Sequence, residues 1–319
     1  MKKPRLKFQT PTGMRDILPE DLVYYKKIYS VADQYADFYG FKMIETPLLE
    51  NYELFVKSTG PTTDIVEKQM YLLKTRGGEY LALRPEFTPS LARAYFENGM
   101  VAWPHPVKLY TRGPLFRYER PQAGRYRQFH QINFEVFGSK KPIVDVEIIW
   151  LFVKILEALD IKDIIVEINS IGDSQCRPYY KKVLTRYLKR NETSLCATCR
   201  KRLKRNPLRV LDCKEVRCQK IVKQGPQIVD YLCEECHDHF EKVLEYLEAL
   251  GIPYILNPYL VRGLDYYTKT VFEIIPQKDQ EIRQNAIIGG GRYDDLLKLI
   301  GKQNIPACGG AGGVERLSL

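Results

Sequence analysis

The densest run of chemically capable side chains is Phe116-Arg117-Tyr118-Glu119-Arg120-Pro121-Gln122-Ala123-Gly124-Arg125-Tyr126-Arg127-Gln128-Phe129. Two strand-like stretches flank a loop that carries Arg117, Arg120, Arg125 and Arg127. A guanidinium grips phosphate oxygens in bidentate fashion, and one held at the end of a strand is fixed in direction. Phosphoryl chemistry draws most of its rate from such positioning and charge neutralisation. A surface hairpin rich in arginine has the same composition, so the loop alone does not decide between them. Two glycine runs invite nucleotide readings that their surroundings exclude. Residues 289–291 are not followed by Gly-Lys-Ser/Thr, and residues 309–313 leave no following βαβ unit before Leu319.

Six of the eight cysteines, Cys196, Cys199, Cys213, Cys218, Cys233 and Cys236, fall within 41 residues. Nothing at the N-terminus resembles a secretion signal, so disulfides are not expected. Cys196-Ala-Thr-Cys199 and Cys233-Glu-Glu-Cys236 are two knuckles of the kind that supply thiolates to tetrahedral zinc. Structural zinc on Cys196, Cys199, Cys233 and Cys236 and reduced, unliganded thiols are both open readings. In the same region, residues 181–209 hold eleven Lys or Arg against a single acid, Glu192, within a chain of net charge +10. Such an excess suits a polyanionic partner; a solvated helix face is the plainer reading.

These side chains need a scaffold. With 319 residues, 45% hydrophobic, the chain can bury a substantial core. No apolar run is long enough to span a bilayer, and a cytoplasmic location without membrane contact is expected. Residues 1–19 read as an extended lead-in. Helical periodicity is expected over 21–40, 145–159 and 240–250, and strands over 41–44, 79–84, 107–118, 131–137, 164–168, near 255, 270–275 and 286–288. On the strand at 131–137, Gln131, Asn133 and Glu135 share one face. The strands are joined by turns or long excursions and many alternate in polarity. This predicts an α+β fold, a mostly antiparallel sheet flanked by helices, rather than a doubly wound parallel sheet. The basic, cysteine-bearing stretch 173–226 reads as an inserted small helical subdomain between core parts 1–172 and 227–319.

The motifs then add up. Phe116-Arg117-Tyr118-Glu119 resembles motif 2 of class II aminoacyl-tRNA synthetases, and its extension through Arg125-Tyr126-Arg127-Gln128-Phe129-His130-Gln131 resembles the histidyl-tRNA synthetases. Leu260-Val261-Arg262-Gly263-Leu264-Asp265-Tyr266-Tyr267 is similar to that family's histidine-specific peptide, and Gly290-Gly291-Arg292-Tyr293-Asp294 to its companion. The run from Gly309 to Leu317 is similar to class II motif 3. The resemblance covers about 8–319 and implies a class II synthetase fold and a histidine-tRNA ligase. Such an enzyme uses ATP and Mg²⁺ to make histidyl-adenylate from L-histidine and passes histidine to tRNA(His).

Carried over residue by residue, the resemblance implies that Arg117 holds the ATP α-phosphate and the attacking carboxylate, and that Glu119 contacts the adenine side. Arg125 reaches the β- and γ-phosphates, and Arg316 packs near the adenine and γ-phosphate. Arg262 is the family's catalytic arginine at the α-phosphate. Glu86, Thr88, Gln131, Glu135, Arg262, Tyr267 and Tyr293 form the histidine pocket. A homodimer is implied too. Motif 3 departs from the family in Gly310 and Gly312, which are expected to loosen the start of the helix bearing Arg316. Leu319 leaves no room for an anticodon-reading domain, so a shortened chain is expected. The alternative is a non-catalytic regulatory subunit of ATP phosphoribosyltransferase, which also lacks that domain but tends to lose the arginine peptide and the insertion.

Overall fold

The computed structural model describes residues 8–122, 124–277 and 286–319; the expected lead-in lies partly outside them. In chain order the elements are α1 (Pro19–Phe38), β1 (Lys42–Met43), β2 (Leu49–Asn51), α2 (Tyr52–Thr59), β3 (Tyr71–Lys74), β4 (Tyr80–Leu83), α3 (Thr88–Glu97), β5 (Val107–Phe116), β6 (Gln128–Phe137), α4 (Pro142–Ala158) and β7 (Ile164–Ser170). A helical excursion follows, with α5 (Arg177–Arg190), α6 (Ala197–Arg205), α7 (Val216–Lys223) and α8 (Glu234–Ala249). The chain then returns through β8 (Tyr254–Leu256), β9 (Thr268–Pro276), β10 (Ile288–Arg292), α9 (Leu296–Gly301), β11 (Ala307–Gly313) and α10 (Val314–Leu317).

The main sheet runs β1-β5-β6-β11-β10-β9-β7-β8. Its interior pairs are antiparallel, and only the edge pairs β1–β5 and β7–β8 are parallel. A small antiparallel sheet, β2-β4-β3, stands beside it. The sheet separates two cores. On one face Ile132, Phe134 and Val136 of β6 pack with α1, α4 and α8. On the other, α3, α9 and the excursion α5–α7 share a second core with Tyr266, Tyr267 and Tyr293. Because side chains alternate along a strand, burying Ile132, Phe134 and Val136 turns Gln131, Asn133 and Glu135 to the opposite face.

Helix α8 starts six residues before the expected 240. Cys233 takes the N-cap position, and Glu234 and Glu235 occupy the first turn, where carboxylates favour the helix dipole. Glycines 309, 310, 312 and 313 belong to β11, and the helix bearing Arg316 begins only at Val314. The expected loosening of that helix is therefore corrected: the glycines serve strand packing. A Cβ on Gly310 would stand 2.7 Å from the Phe152 ring of α4, and one on Gly312 would stand 2.7 Å from Ile288.

Candidate active site

The arginine loop joins two long antiparallel strands, β5 and β6, and is closed at its base by Arg117 N–H donating to the Arg127 carbonyl at 2.8 Å. Its arginines divide into two kinds. Arg127 stacks over the Tyr118 ring at 3.8 Å and donates to the carbonyls of Glu119 and Thr12, so it holds the loop's shape. Arg117 and Arg125 face a cleft of about 740 Å³, together with Glu119, Arg262, Glu273 and Arg316. Arg117 is fixed by its Nε donating to the Pro85 carbonyl at 2.9 Å and by the Phe129 ring at 5.3 Å. Arg125 approaches Glu119 at 3.8 Å. Arg316, one turn beyond β11, donates to the Ala286 carbonyl, and burial together with Arg125 lowers its pKa below the usual arginine value. Repelling cations held this close favour an anion between them.

Arg262 sits in the irregular stretch before β9. It pairs with Glu273 of β9 and lies 5.8 Å from the Tyr267 ring, while its Nε–H is buried with no partner among the described residues. A buried, unmet donor on a fixed cation is suited to charge that develops on a ligand. Gly289 makes room for it, since a Cβ there would collide with the guanidinium.

Arg117, Gln131, Arg262 and Gly289 also wall a smaller pocket of about 60 Å³ that opens from the cleft. Two buried carboxylates face into it. Glu86 accepts from Thr59 Oγ1 at 2.9 Å and from the Tyr266 hydroxyl at 2.8 Å. Glu135 accepts from Thr88 Oγ1 at 2.5 Å and from the Tyr293 hydroxyl. Burial raises both carboxyls; Arg117 moderates Glu86, while Glu135, only partly offset by its hydroxyl donors, is pushed up to about 8. Gly309 lies opposite Glu135 in register, and a Cβ on it would strike that carboxylate. Tyr267 and Tyr293 close the pocket at 6.3 Å, edge to face. All of Glu86, Thr88, Gln131, Glu135, Arg262, Tyr267 and Tyr293 thus meet at one pocket, and Arg117, Glu119, Arg125 and Arg316 meet at the adjoining cleft.

Tyr293 is placed by its neighbour. Arg292, fully buried, donates through Nε to Asp145 of α4 at 3.2 Å, and Asp145 also meets His239 and Thr270. Burial would raise the Asp145 pKa, but Arg292 and His239 hold it below its ordinary value. The excursion braces the loop around Arg262: Asn206 donates to Asp265 at 3.0 Å, Arg209 to the Gly263 carbonyl at 2.9 Å, and Arg177 to the Tyr267 carbonyl at 2.6 Å. Sequence reasoning passed over Tyr266, Thr59, Glu273 and Arg177. Their roles follow from contacts 180, 27, 11 and 90 residues away in sequence, which no local pattern encodes.

The zinc set expected from the two knuckles is corrected. Cys196 and Cys199 gather with Cys213 and Cys218, whereas Cys233 and Cys236 gather with Cys176 and Asp173. The excursion leaves β7 and returns through α8 at the same place, so Cys233 and Cys236 meet the start of α5 and not the start of α6.

An antiparallel sheet with a strand-loop-strand arginine clamp and an arginine on the helix after the last strand is the catalytic core of a class II aminoacyl-tRNA synthetase. The profile of the family described as Histidyl-tRNA synthetase matches residues 13–317. A histidine–tRNA ligase of Halothermothrix orenii is 48% identical over 312 residues, spanning 98% of this chain and 74% of that protein. The Aquifex aeolicus ligase is 48% identical over 98% of this chain and 77% of its own length. Among solved structures, apo histidyl-tRNA synthetase of S. aureus superposes with a TM-score of 0.78 at 35% identity, covering 97% of this chain and 72% of that one. An ATP phosphoribosyltransferase regulatory subunit/histidyl-tRNA synthetase of Bacillus halodurans gives 0.72 at 25% identity, over 99% and 83% of the two chains. The chain belongs to the histidyl-tRNA synthetase family.

Proposed function

We propose that this chain is a histidine-tRNA ligase in which the small pocket holds L-histidine and the arginine cleft holds ATP. The observation that carries the reading is the junction of the two cavities. Buried carboxylates at Glu86 and Glu135 suit a ligand rich in N–H donors, and the pocket opens between Arg117 and Arg262 toward the phosphate-gripping arginines. A histidine seated with its ammonium and imidazole toward Glu86 and Glu135 presents its carboxylate at that mouth. The carboxylate oxygen attacks the α-phosphorus, the bond to the bridging oxygen breaks, and pyrophosphate leaves. Arg117 and Arg262 stabilise charge on the α-phosphate oxygens, and Arg125 and Arg316 take up that of the departing pyrophosphate. The 3′-terminal hydroxyl of tRNA(His) then attacks the acyl carbon and releases AMP. Hydrogen-bonding both ring nitrogens of an imidazole rejects rings that lack its donor and acceptor by about 10⁴ or more.

The family uses ATP with Mg²⁺. The pocket-facing carboxylates are largely engaged, Glu273 by Arg262 and Glu315 by His130. Mg²⁺ would enter bound to the triphosphate and neutralise phosphate charge there, and Glu119 is the cleft-lining carboxylate beside the arginine loop that would receive it. A structural zinc ion in the cysteine-bearing segment belongs to the reading as a separate, non-catalytic element.

Residues 173–226 are assigned to a tRNA-facing insertion between core parts 1–172 and 227–319. Arg200, Lys201 and Lys204 are exposed there, whereas Arg202 and Arg209 pair with Asp64, and Arg205 with Glu67. Of the cations on α6, the first three are the ones left to meet acceptor-stem phosphates. A homodimer is supported by exposed Leu72 and Tyr80, which share one face of the small sheet. The cytoplasm is the assigned location, and no helix among the described residues is long and apolar enough to cross a membrane. No observation favours a purely regulatory subunit, since Arg117, Arg262 and Arg316 converge on one cleft. Charging is tested by esterification of labelled histidine onto tRNA(His). Product that disappears when the tRNA 3′ end is oxidised supports the reading; no product at saturating substrate contradicts it.

A further inference from the structure

We infer that the helical excursion holds two tetrahedral zinc ions with different ligand sets: Cys196, Cys199, Cys213 and Cys218 at one site, and Asp173, Cys176, Cys233 and Cys236 at the other. In each set one ligand atom per residue lies within 4.8 Å of the rest. A zinc–thiolate bond of about 2.3 Å sets the edge of a sulfur tetrahedron at ~3.8 Å. Cys196 and Cys213 stand 3.9 Å apart, and Cys176 and Cys236 stand 3.8 Å apart. All eight cysteines are free of disulfides.

Local backbone geometry prepares the sulfurs for a cation. In the first site the Cys199 amide donates to Cys196 Sγ at 3.3 Å and the Cys196 amide to Cys218 Sγ at 3.2 Å. In the second, the Asp173 amide donates to Cys176 Sγ at 3.3 Å. Amide donors directed at sulfur favour the thiolate, which is the form that binds metal. All four sulfurs of the first set belong to buried residues, and they come from the start of α6, the turn after Pro207–Val210, and α7. A thiol used only as a small apolar filler has no need to converge with three others. In the second set, two x-x-spaced knuckles, Asp173-Ser-Gln-Cys176 and Cys233-Glu-Glu-Cys236, open helices α5 and α8. One ion there fastens the entry of the excursion to its exit.

The architecture gives both ions work. Helices α6 and α7, which carry three of the four sulfurs of the first set at or beside them, are short, nine and eight residues, and small segments of this kind commonly need a metal to hold their form. Cys213 lies four residues beyond Arg209, which supports the Gly263 carbonyl next to Arg262, and Leu211, Asp212 and Cys213 line the ATP cleft. The first ion therefore fixes one wall of the cleft without touching the phosphates. The second stands beside Arg177, which holds the Tyr267 carbonyl.

The inference rests on the structural-metal reading of the cysteines and is independent of the ligase chemistry. Elemental analysis of the intact chain, purified from zinc-supplied cells and dialysed against a weak chelator, is expected to find two zinc per chain. Cys199→Ser and Cys233→Ser should each retain one. Titrating the unaltered chain with a mercurial should release two equivalents, which keeps the test alive where a variant does not fold. Cobalt(II) in Cys233→Ser should show the charge-transfer absorption of four thiolates, and in Cys199→Ser that of three. Fewer than two zinc in the unaltered chain, or two zinc in either variant, overturns the inference. Histidine-dependent pyrophosphate exchange measured on the same samples separates the readings: a zinc-free chain that still exchanges sinks the metal sites and leaves the ligase standing.

Discussion

Replacing Glu135 by Gln separates the electrostatic cost of the proposed histidine pocket from its shape. Glu135 is 1% exposed, and burial pushes its pKa up to about 8 from an ordinary 4.5. The folded chain therefore holds this proton more tightly than the unfolded chain does. Its stability is greatest below about pH 4.5 from this group and declines as pH rises toward 8, where the carboxylate must be carried buried. A span of about 3.5 units at 1.36 kcal/mol each sets a ceiling of ~5 kcal/mol, lowered by whatever relaxation lets water reach the group. Glutamine keeps the shape and an acceptor for the Tyr293 hydroxyl but has no proton to lose. Urea unfolding of both proteins from pH 5 to 8.5 should show the variant gaining on the native chain by roughly 2–4 kcal/mol across that range. Histidine at a fixed high concentration should recover much of the native chain's loss at high pH and stabilise the variant less. If the two pH profiles run parallel within about 1 kcal/mol, Glu135 is not a buried carboxylate of raised pKa and the reasoning fails.

Four further outcomes follow from named contacts. Arg262→Ala should slow adenylate formation by about 10²-fold or more, with a cooperative unfolding transition in histidine-free buffer showing that the variant is folded. Gly309→Ala, whose new methyl strikes the Glu135 carboxylate, should raise the KM for histidine and cost about 1–3 kcal/mol of stability, read by thermal unfolding. Changing Arg200, Lys201 and Lys204 together to Gln should reduce the slope of log affinity for tRNA against log salt by about 2–3 while leaving pyrophosphate exchange unaltered. Sedimentation at micromolar concentration should give a dimer, and charged residues in place of Leu72 and Tyr80, which share one face of the small sheet, should shift it to monomer.

Periodicity made the major strands and helices legible. Alternation along β6 already puts Gln131, Asn133 and Glu135 on the face opposite Ile132, Phe134 and Val136, because one slip of register would swap the two sets. The arginine loop and the peptides around Arg262 and Tyr293 were legible as motifs, since their residue types are dictated by phosphate and by strand geometry. What stayed hidden was set by distant contacts. Tyr266 and Tyr267 are adjacent tyrosines, and only the fold shows that Tyr266 holds Glu86. The glycines of β11 read as a weak helix start because a strand with almost no side chains carries no alternation; the crowding from Glu135, Phe152 and Ile288 explains them. The cysteines misled for a topological reason. Two identical Cys-x-x-Cys knuckles invite pairing, but a chain that enters and leaves its excursion at one point brings Asp173 and Cys176, not Cys196 and Cys199, to Cys233 and Cys236.

The central claim, that the two adjoining cavities activate histidine on ATP, is tested most directly by ATP–pyrophosphate exchange with each amino acid in turn. The account predicts exchange that requires Mg²⁺, occurs with histidine, stays at least about 10⁴-fold weaker with the other amino acids, and collapses in Arg262→Ala. Absence of histidine-dependent exchange in a folded chain that binds ATP, or equal exchange with another amino acid, would contradict it.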